Sequence, residues 1–270
     1  MESEYLNLLS TCIQSKERKT RNANVYSTFG HRLVHDFKDG FPLLTTKKMF
    51  FKGIVEELAW FLRGSTDVAE LKEKGVHIWD KNTEGRHNDA GPVYGFQWRH
   101  FGAEYTSCKD YHGGFDQIQR IINLIKTNPS SRRIFMSAWN PSQQDEMCLP
   151  PCHVSYQFYV DKDHLSVQMY QRSADLFLGL PFNIASTALL LMLIAHETDL
   201  KPGKMVICIG DAHVYSNHLD AVKKQLERKP KDFGSVEIQR EKDGLWDVRL
   251  DQIKLSNYSS AGKLKAEMVA

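Results

Sequence analysis

Hydrophobic residues recur at every third or fourth position in three stretches of the chain, a spacing that predicts amphipathic helices. These stretches are residues 4–14, 49–63 and 115–127. Gly64 follows the second as a C-terminal cap, and Pro129 ends the third because proline cannot continue a helix. A fourth stretch, residues 183–198, is apolar nearly all round and predicts a buried central helix, with Asn183 in position to cap its start.

Two further stretches, residues 153–160 and 164–171, are rich in residues that favour strands. The polar residues 161–163 between them predict a hairpin. Predicted helices and strands are interspersed over the whole length, with no internal repeat and no linker. This pattern indicates one α+β (mixed α/β) domain over residues 1–270, in which helices flank a large mixed sheet.

The composition is that of a globular protein. The 270 residues are 41% hydrophobic and 25% charged, and a net charge of +2 gives no support for nucleic acid as the main partner. Residues 1–5 carry acids where an export signal would carry bases, and the longest apolar run, residues 188–195, is too short to span a membrane. We therefore expect a cytoplasmic protein, with a nuclear location also open.

The cysteines are odd in number and irregular in spacing, which predicts reduced thiols rather than a disulfide framework. They are Cys12, Cys108, Cys148, Cys152 and Cys208. No pairs of Cys or His have the spacing of a metal site, so we expect no metal ion.

One thiol stands apart because of what precedes it. Cys152 follows Pro150 and Pro151, whose rings restrict the backbone, and this is a suitable setting for a thiol that must be aimed. The alternative is a small buried hydrophobic residue. Only a thiolate is a competent nucleophile, and Arg172 is the candidate cation that would stabilise one.

Two groups of polar residues are candidates for binding an anion. Arg172 and Ser173 end a predicted strand with a guanidinium and a hydroxyl that suit a phosphate, the alternative being an ion pair with Asp175. Arg132 and Arg133 precede a β-like segment and are either a second anion clamp or a solvated pair.

Other side chains are candidates for proton transfer and for reading a base and a sugar. Glu57 lies in an apolar helix, where partial burial would raise its pKa, although an exposed helix glutamate is the alternative and Glu56 beside it is easily mistaken for it. The amide of Asn183 offers one donor and one acceptor to the edge of a base. His213 and Tyr215 lie on one side of the chain if it is extended, and they could bind a sugar hydroxyl. No P-loop or dinucleotide fingerprint is present.

Ten separated blocks of sequence follow one another in a fixed order. They are residues 29–31 (FGH), 39–47 (DGFPLLTTK), 56–62 (EELAWFL), 78–80 (IWD), 91–99 (GPVYGFQWR), 131–133 (SRR), 150–153 (PPCH), 170–175 (YQRSAD), 178–186 (LGLPFNIAS) and 210–218 (GDAHVYSNH). In this order they resemble the thymidylate synthase family, and the resemblance covers essentially the whole chain.

The resemblance implies a methyltransferase that converts dUMP to dTMP, as a homodimer formed through its sheet. Its co-substrate would be 5,10-methylenetetrahydrofolate, which gives a one-carbon unit and a hydride and leaves as dihydrofolate. Cys152 would add to C6 of the uracil ring, which makes C5 the nucleophile that takes up the one-carbon unit. Arg172 would hold the phosphate and also lower the pKa of Cys152.

Residue roles follow from the same resemblance. Glu57 and Tyr94 would handle protons around the base, Asn183 would pair with the uracil edge, and His213 with Tyr215 would contact the sugar. The implied catalytic residues are Cys152, Glu57, Tyr94, Arg172 and Asn183. The implied dUMP contacts are Arg21, Gln171, Arg172, Ser173, Ala174, Asp175, Asn183, His213 and Tyr215, with Arg132 and Arg133 supplied by the partner subunit.

The implied folate cavity lies beside the nucleotide site. Asp175 would hydrogen-bond the pterin, and the C-terminal residues near Val269 would close over it and exclude water. The residues implied to line it are Phe50, Ile78, Trp79, Asn82, Asp175, Leu178, Gly179, Phe182 and Val269.

The chain departs from the family pattern at three places. The loop after Arg21 is one residue shorter and has fewer glycines, and Arg18 is near enough to be the phosphate arginine instead. Thr187 stands where the family usually has tyrosine. Residues 259–262 lack the usual proline–histidine–proline segment of the tail.

Three alternative functions remain. A pyrimidine hydroxymethylase shares the nucleophile and the folate, and Asn183 favours dUMP over dCMP because an amide matches both N3–H and O4 of uracil. The hydride step has no such residue to mark it, so a dUMP hydroxymethylase stays open. An additional RNA-binding role lacks a basic stripe with aromatic residues, and a cysteine hydrolase lacks a hydrolase signature around Cys152.

Overall fold

The computed structural model describes residues 1–21 and 23–269. Over these residues the α-helices are α1 (Glu2–Ile13), α2 (Phe51–Leu62), α3 (Ala69–Glu73), α4 (Tyr94–His100), α5 (Gln117–Thr127), α6 (Gly179–Glu197) and α7 (Leu219–Leu226). The strands are β1 (Glu17–Lys19), β2 (Asn24–Asp36), β3 (Phe135–Ser137), β4 (His153–Asp161), β5 (His164–Asp175), β6 (Lys201–Tyr215), β7 (Ser235–Ile238) and β8 (Ile253–Ser256).

A mixed six-stranded sheet organises the fold and has the strand order β1-β2-β6-β5-β4-β3. Neighbouring strands are antiparallel except for β5 and β6, which are parallel because α6 carries the chain back across the sheet between them. Strands β7 and β8 form a separate antiparallel pair. The prediction of an α+β fold with a large mixed sheet and flanking helices is confirmed.

The helix predictions from hydrophobic spacing hold for α1, α2 and α5 within a few residues. Gly64 follows α2 with a φ of 77°, a left-handed conformation that glycine adopts without strain. Asp116 caps α5 by accepting from the backbone N–H of Gln119. The predicted hairpin is the β4–β5 pair, and Lys162 at its turn has a φ of 55°.

The central helix α6 begins at Gly179, four residues before the predicted start. Pro181 lies in its first turn, where the missing N–H has no intrahelical partner to lose. Asn183 is therefore inside the helix and does not cap it, so the capping interpretation was wrong. By length and composition α6 could span a membrane, but most of it is buried inside the fold against β5 and β6.

The two faces of the six-stranded sheet differ in polarity and burial. One face packs on the core through residues such as Leu33, Met169 and Ile207, which are almost completely buried. The other face is open and carries large aromatic side chains from four strands. They are Phe29, Phe135, Tyr159 and Tyr170.

Candidate active site

Cys152 lies at the entry to β4, where three elements meet. Its backbone N–H donates to the Tyr94 hydroxyl at 2.7 Å, at the start of α4. Its carbonyl accepts from the backbone N–H of Arg172 on β5 at 2.9 Å. The thiol of a half-buried residue is thus fixed from both sides through its own peptide groups.

The guanidinium of Arg172 holds the proline loop in place. Its Nε donates to the Pro151 carbonyl at 2.8 Å and a terminal nitrogen donates to the Pro150 carbonyl at 2.9 Å. The group also lies 5.3 Å from the centre of the Trp139 ring. Arg172 therefore positions the cysteine mechanically as well as electrostatically, a role that sequence spacing alone did not indicate.

The pKa of the Cys152 thiol is raised, because burial outweighs every other influence. The charge of Arg172 and the hydrogen bond with Tyr94 both lower it, while Asp175 raises it. The expected effect of Arg172 is confirmed in direction, but it does not decide the net pKa. The thiol is protonated at neutral pH in this state.

Glu57 faces the site from α2, and Trp79 Nε1 donates to its Oε1 at 2.7 Å. Burial raises the pKa of Glu57 from 4.5 to about 7, with the Trp79 hydrogen bond acting in the opposite direction. Its neighbour Glu56 instead pairs with Lys74 at 2.6 Å. Glu57 is half-buried, so the prediction of partial burial with a raised pKa is confirmed, and a carboxyl with this pKa can accept or donate a proton near neutrality.

His153 is buried between aromatic rings next to the cysteine. Its ring stacks on Tyr94 with centroids 4.0 Å apart, and its Nδ1 lies 2.9 Å from the Tyr156 hydroxyl. Burial lowers the pKa of His153 to about 3. The imidazole is therefore neutral throughout the physiological range.

Asn183 projects from the first turns of α6 toward β5. Its Oδ1 accepts from Gln171 Nε2 at 3.0 Å, and the same nitrogen also donates to the Ser173 carbonyl at 3.1 Å. Gln171 Oε1 is buried without a hydrogen-bond partner among the described residues. The amide of Asn183 is thus oriented by Gln171, with its Nδ2 and one lone pair of Oδ1 left for a further partner.

A series of polar side chains in mutual contact lies along the end of β6. Asp211 accepts from His213 Nδ1 at 2.9 Å and is also ion-paired with Arg18. The rings of His213 and Tyr215 meet edge to face at 5.1 Å. Arg18 is therefore engaged within β1, whereas Arg21 is exposed at the turn that follows. Burial raises the pKa of Tyr215, and the charge of Arg21 opposes that rise.

The C-terminal tail lies over the same end of the molecule. His218 Nε2 lies 2.7 Å from the Glu267 carbonyl, and Lys81 donates to the Met268 carbonyl at 3.3 Å. A cavity of about 440 Å³ separates the tail from the end of β6 and the residues that follow Arg21. Its lining consists of Ala23, Asn24, Ser216, Asn217, Glu267, Met268 and Val269.

The predicted folate residues differ in burial, and only some of them contact one another or the catalytic groups. Trp79 is buried against Glu57, while Ile78, Asn82, Leu178, Gly179 and Phe182 are half-buried and Phe50 is 43% exposed. Asp175 accepts from the backbone N–H groups of Phe177 and Leu178 at 3.0 and 3.2 Å. Its Oδ1 is thereby used to start α6, which leaves Oδ2 for a ligand.

The remaining predicted dUMP residues are Ala174 and the pair Arg132 and Arg133. Ala174 is fully buried, so its side chain belongs to the core and only its backbone is left for a substrate. Arg132 and Arg133 are exposed and precede β3, whose Phe135 pairs with Gln157 well along β4. At about 3.3 Å per residue this puts both arginines roughly 20 Å from Cys152 of their own chain, beyond the reach of a side chain.

Three side chains of the site were missed by sequence reasoning. Asp211 alternates with His213 along β6, so period-two spacing could have found it. Trp139 reaches the site only through the folding of a distant segment. Tyr156 lies three residues after His153 on β4, and the two share a side because a bulge between His153 and Ser155 breaks the regular alternation. Among residues 1–21 and 23–269, no group of three or more His, Cys, Asp or Glu could hold a metal ion.

A fixed cysteine beside an arginine, a buried glutamate with a pKa near neutrality and an oriented amide define a cysteine-dependent enzyme that acts on a polar planar substrate. Comparison with known proteins specifies the class. The sequence profile of the thymidylate synthase family matches residues 3–270. The chain belongs to this family.

Relatives match over nearly the whole chain. Human thymidylate synthase is 46% identical over 99% of this chain and 90% of its own length, and the enzyme of Herpesvirus ateles is 47% identical over 99% and 97%. The maize bifunctional dihydrofolate reductase–thymidylate synthase is 47% identical, and the chain spans 54% of its length. The activity of the chain is that of the family, a methyl transfer to dUMP that uses 5,10-methylenetetrahydrofolate as co-substrate.

Proposed function

We propose that Cys152 is the nucleophile that adds to C6 of dUMP. The observation that carries this assignment is the fixing of its peptide groups by Tyr94 and by the Arg172 backbone, while the Arg172 side chain holds the two prolines. A nucleophile must be held within a fraction of an ångström of its target, and these contacts supply that restraint. Glu57 is then the proton-transfer group, because its pKa of about 7 suits both directions of transfer.

The nucleotide is oriented at both ends by side chains of this chain. Asn183 pairs with uracil through the donor and the lone pair that Gln171 leaves free. His213 and Tyr215 bind the deoxyribose hydroxyl, with His213 held by Asp211. Arg21 is the arginine of the phosphate site because Arg18 is already paired with Asp211.

The phosphate site is completed by a second copy of the chain. Arg132 and Arg133 are too far along β4 to serve their own Cys152, and no carboxylate among the described residues pairs with them. The open sheet face with its four exposed aromatic residues is the kind of surface that a partner covers. We assign that partner as an identical subunit, in a two-fold dimer that exchanges these arginines.

The assignment of the nucleophile is tested with dUMP and methylenetetrahydrofolate. The protein should form dihydrofolate, seen as an absorbance rise in the near ultraviolet, and Cys152→Ser should abolish it while dUMP still binds. Cys148→Ser is the matched control and should retain turnover, since Cys148 is a nearby half-buried thiol. A modified nucleotide formed without dihydrofolate would contradict the synthase and favour the hydroxymethylase.

The exchanged arginines are tested by mixing two inactive variants. Cys152→Ser subunits retain the arginines, and the double variant Arg132→Ala with Arg133→Ala retains the cysteine. After subunit exchange, half the dimers are mixed and each has one intact site, so about a quarter of the wild-type activity should return. Activity that stays absent while mixed dimers are present would contradict the shared site.

A further inference from the structure

A buried hydrogen-bonded group lies behind the catalytic cysteine and involves residues with no assigned role. The Tyr156 hydroxyl lies 2.9 Å from His153 Nδ1, and both side chains are almost completely buried. The His153 ring in turn stacks on Tyr94, whose hydroxyl accepts from the Cys152 backbone. Tyr156 is thus connected to the nucleophile through two rings.

The helix behind this group carries the departure from the family pattern. Thr187 on α6 stands where the family usually has tyrosine, and its hydroxyl is buried with no hydrogen-bond partner of ordinary geometry among the described residues. Burial raises the pKa of Tyr156, so the phenol keeps its hydrogen at neutral pH. Thr187 makes no hydrogen bond to it, and His153 Nδ1 is the only hydrogen-bond partner of the phenol among the described residues.

These contacts fix the direction of the hydrogen bonds. A buried phenol hydrogen without an acceptor is costly, and no acceptor other than His153 lies within hydrogen-bond distance of it among the described residues. The phenol hydrogen then has Nδ1 of His153 as its acceptor. A neutral imidazole carries one hydrogen, so occupation of Nδ1 as an acceptor leaves the hydrogen on Nε2.

We propose that Tyr156 is a positioning residue that locks the neutral His153 ring in the Nε2–H tautomer and so presents a hydrogen donor, not an acceptor, to the active site. Nε2 has no protein partner among the described residues, so this donor remains for substrate or water. The proposal rests on the proposed function and extends it, since it states that the His153 ring beside Cys152 acts as a hydrogen-bond donor through Nε2.

The tautomer is measured directly by nitrogen NMR on protein labelled with ¹⁵N at histidine. His153 is identified by the signals that disappear in His153→Gln, and these should not titrate between about pH 5 and 8, because burial keeps its pKa near 3. The free protein should show Nε2 protonated and Nδ1 as a hydrogen-bonded acceptor. A protonated Nδ1 in the wild type would overturn the proposal, whatever the enzyme's activity.

The functional consequence is measured with Tyr156→Phe. Loss of the hydrogen bond should release the tautomer and lower kcat about threefold to tenfold, with little change in the KM for dUMP, since one hydrogen bond is worth about 1 kcal/mol. Tyr111→Phe is the matched control, because it removes a hydrogen bond to the Gly64 carbonyl at 2.9 Å and does not contact His153.

The outcomes separate a positioning role from a structural one. If Tyr156→Phe loses kcat in proportion to a mixed-tautomer signal while Tyr111→Phe loses neither, the proposal stands. If Tyr156→Phe keeps a pure Nε2–H signal and full kcat, the phenol does not set the tautomer and the proposal fails. Failure of the proposed function appears separately, as absence of dihydrofolate in the wild type.

Discussion

Replacing Glu57 with glutamine should make the protein more stable at alkaline pH while it destroys activity. The folded state raises the pKa of Glu57 from 4.5 to about 7 through burial, so the folded protein holds a proton that the unfolded chain has lost. A carboxyl with a raised folded-state pKa contributes its full stability below about pH 4.5 and loses it as the pH rises through 7. This pH dependence is opposite to that of a salt-bridged carboxylate, whose lowered pKa adds stability as the pH rises.

The size of the effect follows from the two pKa values. The difference between 4.5 and about 7 corresponds to about 3 kcal/mol of unfolding free energy, at about 1.4 kcal/mol for each pH unit. Glutamine matches the protonated form in shape and can still accept from Trp79, but it does not titrate. Glu57→Gln should therefore equal the wild type near pH 5 and exceed its unfolding free energy by about 2 to 3 kcal/mol near pH 8.

The assay is urea unfolding of both proteins at about pH 5 and pH 8, together with turnover at each pH. Loss of the proton-transfer group should lower kcat about a hundredfold or more. Glu56→Gln is the matched control one residue away, and it should lose its pairing with Lys74 yet keep the pH dependence of the wild type. Parallel stability curves for the wild type and Glu57→Gln would refute a raised pKa at this carboxyl.

Three further changes test the remaining contacts of the site. Arg172→Ala should slow the alkylation of Cys152 by iodoacetamide severalfold at about pH 8, measured by mass spectrometry, because the charge of Arg172 lowers the thiol pKa; an unchanged rate would contradict this. Asn183→Asp should shift preference from dUMP toward dCMP. A specificity unchanged from the wild type in competition assays would contradict the base-reading role of Asn183. Asp211→Asn should raise the KM for dUMP about tenfold by releasing His213, with kcat changed less.

The regular part of the fold could be predicted because hydrophobic spacing reports directly on helix faces. The start of α6 was missed because Pro181 was taken as lying before the helix, although proline is tolerated in a first turn. Strand β1 is three exposed residues with no alternation, so nothing local marks it. The long strand β6 was recognised only at its end, around His213 and Tyr215.

The same distinction applies to the site: some of its residues could be predicted from neighbouring sequence, and others depend on tertiary contacts. Cys152 stood out because the two preceding prolines are local, and Glu57 because its helix is apolar. The clamp from Arg172 to the proline carbonyls depends on the packing of the proline loop against β5, which no spacing along the chain encodes. Tyr156 was missed although it lies only three residues from its partner His153, because a bulge between His153 and Ser155 breaks the regular alternation of β4.

Burial has a common effect on the acids of this site, and that effect constrains how the reaction proceeds. It raises the pKa of both Cys152 and Glu57 and keeps His153 neutral, so near neutral pH the resting site holds a protonated thiol and a glutamate that is only partly ionised. A thiolate formed there in isolation would be costly. Attack on the uracil ring moves the charge from sulfur onto the substrate, where hydrogen donors such as Asn183 Nδ2 can meet it. The site therefore favours thiol deprotonation coupled to attack, and the alkylation rate of the free thiol should understate its reactivity toward bound dUMP.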